Sequence, residues 1–276
     1  MDFYFRRSYR GPLQAVIFDW AGTTLDYSSY APIAALLQLF EQHGLHVTTA
    51  QARIPMGLHK RDHIRTILQL EPIRQQWQAQ HQRAWTETDV ESLYQHLTAI
   101  QATVIGDYAT LIPGTLETLA ACRARHLKIG STTGYNQAMM QALLPLASAQ
   151  GYTPDALVCP DQVAAGRPAP WMIFQNAMQL GVYPMEAIVK VGDTLPDISE
   201  GLNAGVWTIG LTRTGNELGL LPDEQAALAP DALAARLAQI RQQFLQAGAH
   251  AVVESIADVP AVLDTLAAAV QRGEQP

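Results

Sequence analysis

Short apolar runs that end at an acidic or hydroxyl residue alternate with helical stretches along most of the chain. The first run, residues 15–18, stops at Asp19, and a later run, residues 187–191, is followed by Gly192 and Asp193. Continuous apolar runs of this length are typical of strands buried on both faces of a parallel sheet. Their alternation with helices predicts the α/β class, with a doubly wound, Rossmann-like parallel sheet. In such a sheet the carboxyl ends of the strands meet at one edge, where ligands bind.

The same patterns divide the chain into a core and an insertion. Further strands are predicted at residues 127–130, 156–158, 205–209 and 250–254. Alanine-, leucine- and glutamine-rich sequence predicts a helix over residues 223–247. Residues 26–106 show only helical periodicity, which predicts an all-helical cap domain inserted after the first strand. We therefore expect three parts: an α/β core of residues 11–25 and 107–276, a cap of residues 26–106, and an N-terminal extension of residues 1–10.

Composition and charge restrict the classes of function. The 276 residues carry a formal net charge of −7 without a lysine- and arginine-rich block, which argues against nucleic acid as a partner. No apolar run approaches the roughly 18 residues of a membrane span, and the first ten residues lack the apolar segment of a signal peptide. The two cysteines, Cys122 and Cys159, lie far apart without metal-ligand spacing, so we expect a reducing, cytoplasmic environment. An anionic small-molecule substrate remains compatible, because a site can be locally positive on an acidic protein.

Four polar motifs follow or adjoin the predicted strands. Asp19 precedes a Gly-Thr-Thr turn, and a carboxylate held there can bind a divalent cation or attack phosphorus. Residues 131–134 (Ser-Thr-Thr-Gly) are predicted to end a strand and begin a helix, where hydroxyls and amides would bind an anion. Arg167 lies in a proline-rich loop and can neutralise a phosphoryl group. Of Asp193 and Asp197, one could ligate Mg²⁺ and the other could hold an oxygen or orient a neighbour. Each motif alone has a plainer explanation as a turn, a helix cap or a surface residue, but their combination favours an active site.

This combination resembles the haloacid dehalogenase superfamily of aspartate-nucleophile phosphotransferases. Most members of that superfamily carry a second aspartate two residues after the nucleophile, which protonates an oxygen leaving group. In this sequence that position is Ala21. The resemblance therefore implies a nucleophilic Asp19 in a reaction whose leaving group is activated in another way.

A lysine in the helical insertion offers such an activation. Lys60, His63, Ile64 and Ile67 are spaced at i, i+3, i+4 and i+7, so they share one face of a helix. Burial would lower the pKa of Lys60 and free its amine to attack a carbonyl. A lysine that extends past apolar neighbours into solvent is the commoner arrangement, and His63 by default is a hydrogen-bonded helix residue.

Taken together, Ala21 and Lys60 narrow the resemblance to the phosphonatase family, the phosphonoacetaldehyde hydrolases, over almost the whole chain. The matching segments are residues 19–23, 56–60 with 62–63, 129–135, 166–172 and 191–194 with 197. The resemblance implies hydrolysis of the carbon–phosphorus bond of phosphonoacetaldehyde to acetaldehyde and phosphate, within 2-aminoethylphosphonate degradation. It also implies Mg²⁺ as the cofactor, a helical cap, and a homodimer, which we expect to form through the cap.

The resemblance also implies roles for individual residues. Asp19 would be the nucleophile, and Lys60 would form a Schiff base with the substrate aldehyde. His63, on the same helix face as Lys60, is placed to move protons. Arg167 and either Thr132 or Thr133 would hold phosphoryl oxygens, and the sequence does not distinguish the two threonines. The remaining expected site residues are Met56, Gly57, Thr132, Gly134 and Tyr135 for substrate binding, and Asp19, the Ala21 carbonyl, Asp193 and Asp197 for the metal.

Two departures and two rival functions complete the sequence-based picture. His59 stands before the lysine where relatives are expected to have an apolar residue, and Ala169 replaces an expected aromatic residue. An ordinary phosphatase or phosphomutase of the same fold would need an acid near Asp19, and Ala21 argues against that function. A binding or dimerisation module without catalysis would not require this full set of polar residues.

Overall fold

A six-stranded parallel sheet organises the computed structural model, which describes residues 8–56 and 58–276. The strands run in the spatial order β3-β2-β1-β4-β5-β6, and every neighbouring pair is parallel. Their bounds are β1 (Ala15–Phe18), β2 (Lys128–Thr132), β3 (Ala156–Val158), β4 (Ile188–Gly192), β5 (Trp207–Leu211) and β6 (Ala251–Val253). The predicted doubly wound α/β fold is confirmed. Because the strand order reverses beside β1, the ends of β1, β2 and β4 adjoin the crevice in which such sheets bind ligands.

Helices fill both the insertion and the connections of the sheet. Five of the described helices lie in the insertion after β1: α1 (Tyr30–Gln42), α2 (Thr49–Arg53), α3 (Lys60–Gln69), α4 (Glu71–His81) and α5 (Glu87–Val104). The others are α6 (Thr115–Ala124), α7 (Gln137–Ala149), α8 (Trp171–Leu180), α9 (Leu195–Ala204), α10 (Pro222–Ala226), α11 (Pro230–Gln246) and α12 (Val259–Arg272). None of these described helices is long and apolar enough to cross a membrane.

The single helix predicted over residues 223–247 is wrong. The chain forms α10 and α11 there, with a break between Ala226 and Pro230. Pro230 has no backbone N–H to donate and its ring would clash inside a continuous helix, whereas it is well suited to the first position of a new one.

The apolar clusters around the sheet are separate from the cluster of the insertion. The largest cluster packs the sheet against flanking helices, with Phe18, Ile129 and Val191 among its buried residues, and two smaller clusters also involve the sheet. The cluster of the insertion lies entirely within it, with Leu36 and Ile64 among its members. The division into a core and a cap, with boundaries at residues 26 and 106, stays a prediction.

The connection itself has an unusual backbone. Asp26, Ser28 and Ser29 all have positive φ angles, of 54°, 68° and 50°. The carboxylate of Asp26 accepts hydrogen bonds from the amides of Tyr30 and Ala31, at 2.9 and 3.0 Å, and so satisfies the first turn of α1. This capped turn directs the insertion over the carboxyl edge of the sheet.

Candidate active site

The register of the sheet brings the predicted polar motifs together at one edge. Phe18 is opposite Ser131 of β2 and opposite Val191 of β4, so Asp19 follows the strands at the same level as Thr132 and Gly192. The amide of Asp19 donates to the carbonyl of Val191 at 3.0 Å. Asp19 borders a small cavity between the sheet edge and the insertion. Nine of the predicted site residues line it: Asp19, Ala21, Met56, Lys60, Thr133, Gly134, Tyr135, Arg167 and Asp193.

Arg167 binds the carboxylate of Asp19 directly. Its Nη2 donates to Asp19 Oδ1 at 2.6 Å, and both side chains are buried. Burial raises the pKa of Asp19, and the neighbouring Arg167 guanidinium opposes that rise. Since Arg167 also borders the cavity, it can contact both the carboxylate and an anionic group bound beside it.

The two adjacent threonines occupy different environments. Thr133 borders the cavity, and its hydroxyl accepts a hydrogen bond from the amide of Tyr135 at 3.1 Å. Thr132 is fully buried, and its hydroxyl is held by Arg167 Nη2 at 2.9 Å and Lys190 Nζ at 2.8 Å. The geometry therefore favours Thr133 as the threonine that faces a bound ligand.

The helix start predicted at residues 131–134 is wrong. Ser131 and Thr132 continue β2 and pair with β3, and α7 begins only at Gln137, where the Asn136 side chain accepts from the amide of Met139. Threonine is a good strand residue because its branched side chain fits a pleated, packed surface. The segment offers hydroxyls at the strand end, but the N-terminus of α7 lies farther along the chain.

Asp193 is held rigidly at the end of β4. Its Oδ2 accepts from the amide of Asn216 at 2.8 Å and from the hydroxyl of Ser29 at 3.1 Å. A Cβ on Gly22 would lie 2.2 Å from this oxygen, and Gly22 also has a φ of +83°, so this position requires glycine. Burial and the nearby carboxylates of Asp19 and Asp197 raise the pKa of Asp193 well above its usual range.

The carboxylate cluster suits a divalent cation. Asp19, Asp193 and Asp197 each present one oxygen, and these oxygens lie within 4.8 Å of one another. Within the described part of the chain, this cluster and Glu200 bring four buried carboxylates together, and the cations Arg167 and Lys190 contact three of them. A hard cation with oxygen ligands would offset the remaining negative charge, so these residues can hold a metal ion.

Lys60 reaches the cavity from the first turn of α3. It is 5% exposed, and the buried face of α3 contains Lys60, His63, Ile64 and Ile67, as the spacing predicts. Burial lowers the pKa of Lys60 from 10.5 to about 8, although Asp19 acts in the opposite direction. The cavity therefore contains a lysine with an appreciable neutral fraction near physiological pH.

His63 is not among the described residues that line the cavity. His63 is fully buried, and a ring nitrogen lies 2.8 Å from the carbonyl oxygen of Ala52. Burial, together with the charge of Lys60, lowers its pKa well below the usual range. Gly57 lies outside the described residues. The unexpected His59 caps α3, since its side chain accepts from the amide of Arg61 at 3.3 Å.

Sequence reasoning missed three polar residues of this site. Ser29 borders the cavity and bonds Asp193, whereas Lys190 and Glu200 form a fully buried ionic group beneath it. Lys190 could have been found, because a lysine is out of place inside an apolar strand run. Glu200 lies three residues after Asp197 on the same helix face, a weaker signal. Ser29 carried no distinguishing signal in the sequence.

Comparisons with known proteins agree with this fold. The family model of haloacid dehalogenase-like hydrolases matches residues 13–205. A "phosphonoacetaldehyde hydrolase-like protein" of Syntrophobacter fumaroxidans is 46% identical over 97% of each chain. A "phosphonoacetaldehyde hydrolase" of Nitratidesulfovibrio vulgaris is 43% identical over 98% of this chain and 96% of its own. The crystal structure of a phosphonoacetaldehyde hydrolase-like protein from Oleispira antarctica covers both chains completely, with 39% identity and a TM-score of 0.97.

The family follows from the coverage and the identity of these matches. The chain belongs to the haloacid dehalogenase-like hydrolases and, within them, to the family of the phosphonoacetaldehyde hydrolases. It is therefore an enzyme of the hydrolase class.

Proposed function

We propose that this enzyme hydrolyses the carbon–phosphorus bond of phosphonoacetaldehyde to acetaldehyde and phosphate. The observation that carries the proposal is the placement of buried Lys60 and Asp19 around one cavity, with Ala21 where an oxygen-protonating acid would otherwise stand. The names of the relatives support the same substrate. We include in the same proposal that the enzyme acts in 2-aminoethylphosphonate degradation, the pathway that the substrate implies.

The first chemical step is condensation of the substrate aldehyde with Lys60. The neutral amine attacks the carbonyl carbon, and loss of water leaves an imine, which is protonated to an iminium ion. The lowered pKa of Lys60 supports this role, because a larger share of the amine is unprotonated. The Tyr135 hydroxyl has no hydrogen-bond partner among the described residues, and it borders the cavity together with the Met56 side chain. These two side chains would orient the aldehyde end of the substrate.

The second step is transfer of the phosphoryl group to Asp19. As the carboxylate attacks phosphorus, the carbon–phosphorus bond breaks and its electron pair moves into the iminium, which becomes an enamine. Without the iminium the leaving group would be an unstabilised carbanion. Arg167 and Thr133 would hold phosphoryl oxygens. Water then hydrolyses the aspartyl phosphate to free Asp19 and phosphate. The enamine is protonated on carbon to an iminium ion, and a second water hydrolyses that iminium, which releases acetaldehyde and returns the amine of Lys60.

We propose that the metal site takes Mg²⁺, held by Asp19, Asp193 and the carbonyl of Ala21. When bound, the cation would withdraw negative charge from phosphoryl oxygens. Asp197 is already occupied: its Oδ2 accepts from the Thr194 hydroxyl at 2.5 Å, and its Oδ1 pairs with Lys190 at 2.8 Å. We therefore propose that Asp197 orients its neighbours rather than ligating the metal directly.

Three further proposals concern a proton-transfer residue, the oligomeric state and the location of the enzyme. His63 would take part in proton movement through Lys60, to which it is adjacent on α3. The homodimer through the cap and the cytoplasmic location stay predictions. Light scattering of the purified chain measures its molar mass and so tests whether it is a dimer.

Turnover of phosphonoacetaldehyde tests the proposed function. The purified enzyme with Mg²⁺ should release phosphate and acetaldehyde in equal amounts, and it should show little activity on p-nitrophenyl phosphate or a sugar phosphate. Efficient hydrolysis of the phosphate esters with no activity on phosphonoacetaldehyde would favour the ordinary phosphatase. Binding without turnover of either class would favour a non-catalytic role.

A further inference from the structure

Lys190 is a fully buried lysine in the middle of the sheet, and the mechanism above does not use it. It lies in β4 between Val189 and Val191, and its exposed fraction is 0%. An ammonium group in such a place loses its hydration and is retained only where it has strong partners. The partners of Lys190 therefore indicate what it does.

Among the described residues, all the side-chain polar contacts of Lys190 are with groups that also contact Arg167. Its Nζ lies 2.8 Å from Asp197 Oδ1, 3.4 Å from Glu200 Oε2 and 2.8 Å from Thr132 Oγ1. Arg167 contacts the same three side chains, at 3.1 Å from Asp197, 3.0 Å from Glu200 and 2.9 Å from Thr132. The two cations thus share one set of acceptors.

Arg167 differs from Lys190 in one contact. The Nη2 atom of Arg167 also reaches Asp19 at 2.6 Å, beside the cavity. With Lys190 present, two cations balance Asp197 and Glu200. Without it, both carboxylates would face Arg167 alone and draw the guanidinium away from Asp19, because unpaired buried charge is costly. Thr132 would also lose one of the two donors that fix its hydroxyl.

We propose that Lys190 is a positioning residue for phosphoryl transfer, because by balancing Asp197 and Glu200 it holds the Arg167 guanidinium against Asp19. It acts through Arg167 and does not touch substrate. The kinetic consequence rests on the proposed function, whereas the geometric consequence, the Arg167–Asp19 contact, does not. The side-chain contacts of Lys190 given above do not include Lys60, so imine formation at Lys60 should not depend on Lys190.

The test compares Lys190→Met with the charge-balanced double variant Lys190→Met/Glu200→Gln. We expect the single variant to lower kcat for phosphate release by about 10- to 100-fold, as loss of a supporting contact around a site typically does, with little change in KM. Borohydride trapping of the substrate on Lys60 should continue at the wild-type rate. The double variant should recover most of the lost kcat, because Arg167 then faces Asp197 without the second charge of Glu200. Lys128→Met, at an exposed position of β2, is the matched control.

Crystal structures of the variants make the result independent of substrate. We expect the Arg167–Asp19 contact to open in Lys190→Met and to close again in the double variant. If Lys190→Met does not fold, the double variant alone decides: a folded protein with the contact intact supports the inference. Wild-type kcat and an unchanged contact in Lys190→Met would overturn it, as would a folded double variant without recovery. Failure of the wild-type enzyme to release phosphate would instead contradict the proposed function, and the crystal geometry would still decide the role of Lys190.

Discussion

Replacing the buried lysine of the cavity should make the protein more stable while removing its activity. Burial lowers the pKa of Lys60 from 10.5 to about 8. That difference of about 2.5 units, at roughly 1.4 kcal/mol each, means that charged Lys60 costs the folded state about 3 kcal/mol below pH 8. Lys60→Met removes the charge and keeps an apolar stem of similar length. We therefore expect its free energy of unfolding at pH 7 to exceed that of the wild type by about 3 kcal/mol.

The pH dependence identifies the cause of this stabilisation. Between pH 8 and 10.5 the unfolded state binds more protons at this position than the folded state, so wild-type stability gains from rising pH there. The advantage of Lys60→Met should shrink over that window. Guanidinium unfolding followed by the fluorescence of the five tryptophans measures both proteins at pH 7 and pH 9.5. Lys128→Met is the exposed control. A Lys60→Met protein that is less stable at pH 7, or an advantage independent of pH, would refute the reasoning.

Three further predictions concern the nucleophile, the metal and the connection to the cap. Asp19→Asn should lower phosphate release at least about 1,000-fold while leaving borohydride trapping on Lys60 intact; parallel loss of both would argue against separate steps. Chelation with EDTA should abolish turnover, Mg²⁺ should restore it, and Mg²⁺ should raise the Tm; full activity in EDTA would exclude the metal role. Burial raises the pKa of Asp26 to about 7, so the wild type loses stability as pH rises from about 4 to 7. Asp26→Asn should therefore be more stable than wild type at pH 8, by up to about 4 kcal/mol, and not at pH 4, as denaturant unfolding at both values would reveal.

The parallel sheet was predictable because its strands are buried on both faces and therefore appear as continuous apolar runs. The predicted and observed strands differ only at their ends, as at Lys128–Thr132, where two polar residues continue an apolar run. The positions of Asp19, Arg167 and Asp193 at one edge followed from the geometry of parallel sheets. The fold of the insertion was predictable as helical from its periodicity, as in α3.

Features that depend on tertiary contacts could not be predicted. Nothing local distinguishes Thr132 from Thr133, since only the pairing of β2 with β3 turns one hydroxyl inward. The shared acceptors of Lys190 and Arg167 join residues that are distant in sequence. The helix break before Pro230 could have been predicted from the proline itself. The helix-favouring composition on both sides led to the prediction of one continuous helix instead. The catalytic and metal-binding roles of the individual residues stay predictions.

Borohydride reduction in the presence of phosphonoacetaldehyde tests the imine route most directly. Peptide mass spectrometry should find a reduced adduct on Lys60, and Lys60→Arg should show neither adduct nor turnover, because a guanidinium does not form the imine. Absence of an adduct, together with intact turnover in Lys60→Arg, would contradict the Schiff-base mechanism and return the enzyme to the ordinary phosphatases of its superfamily.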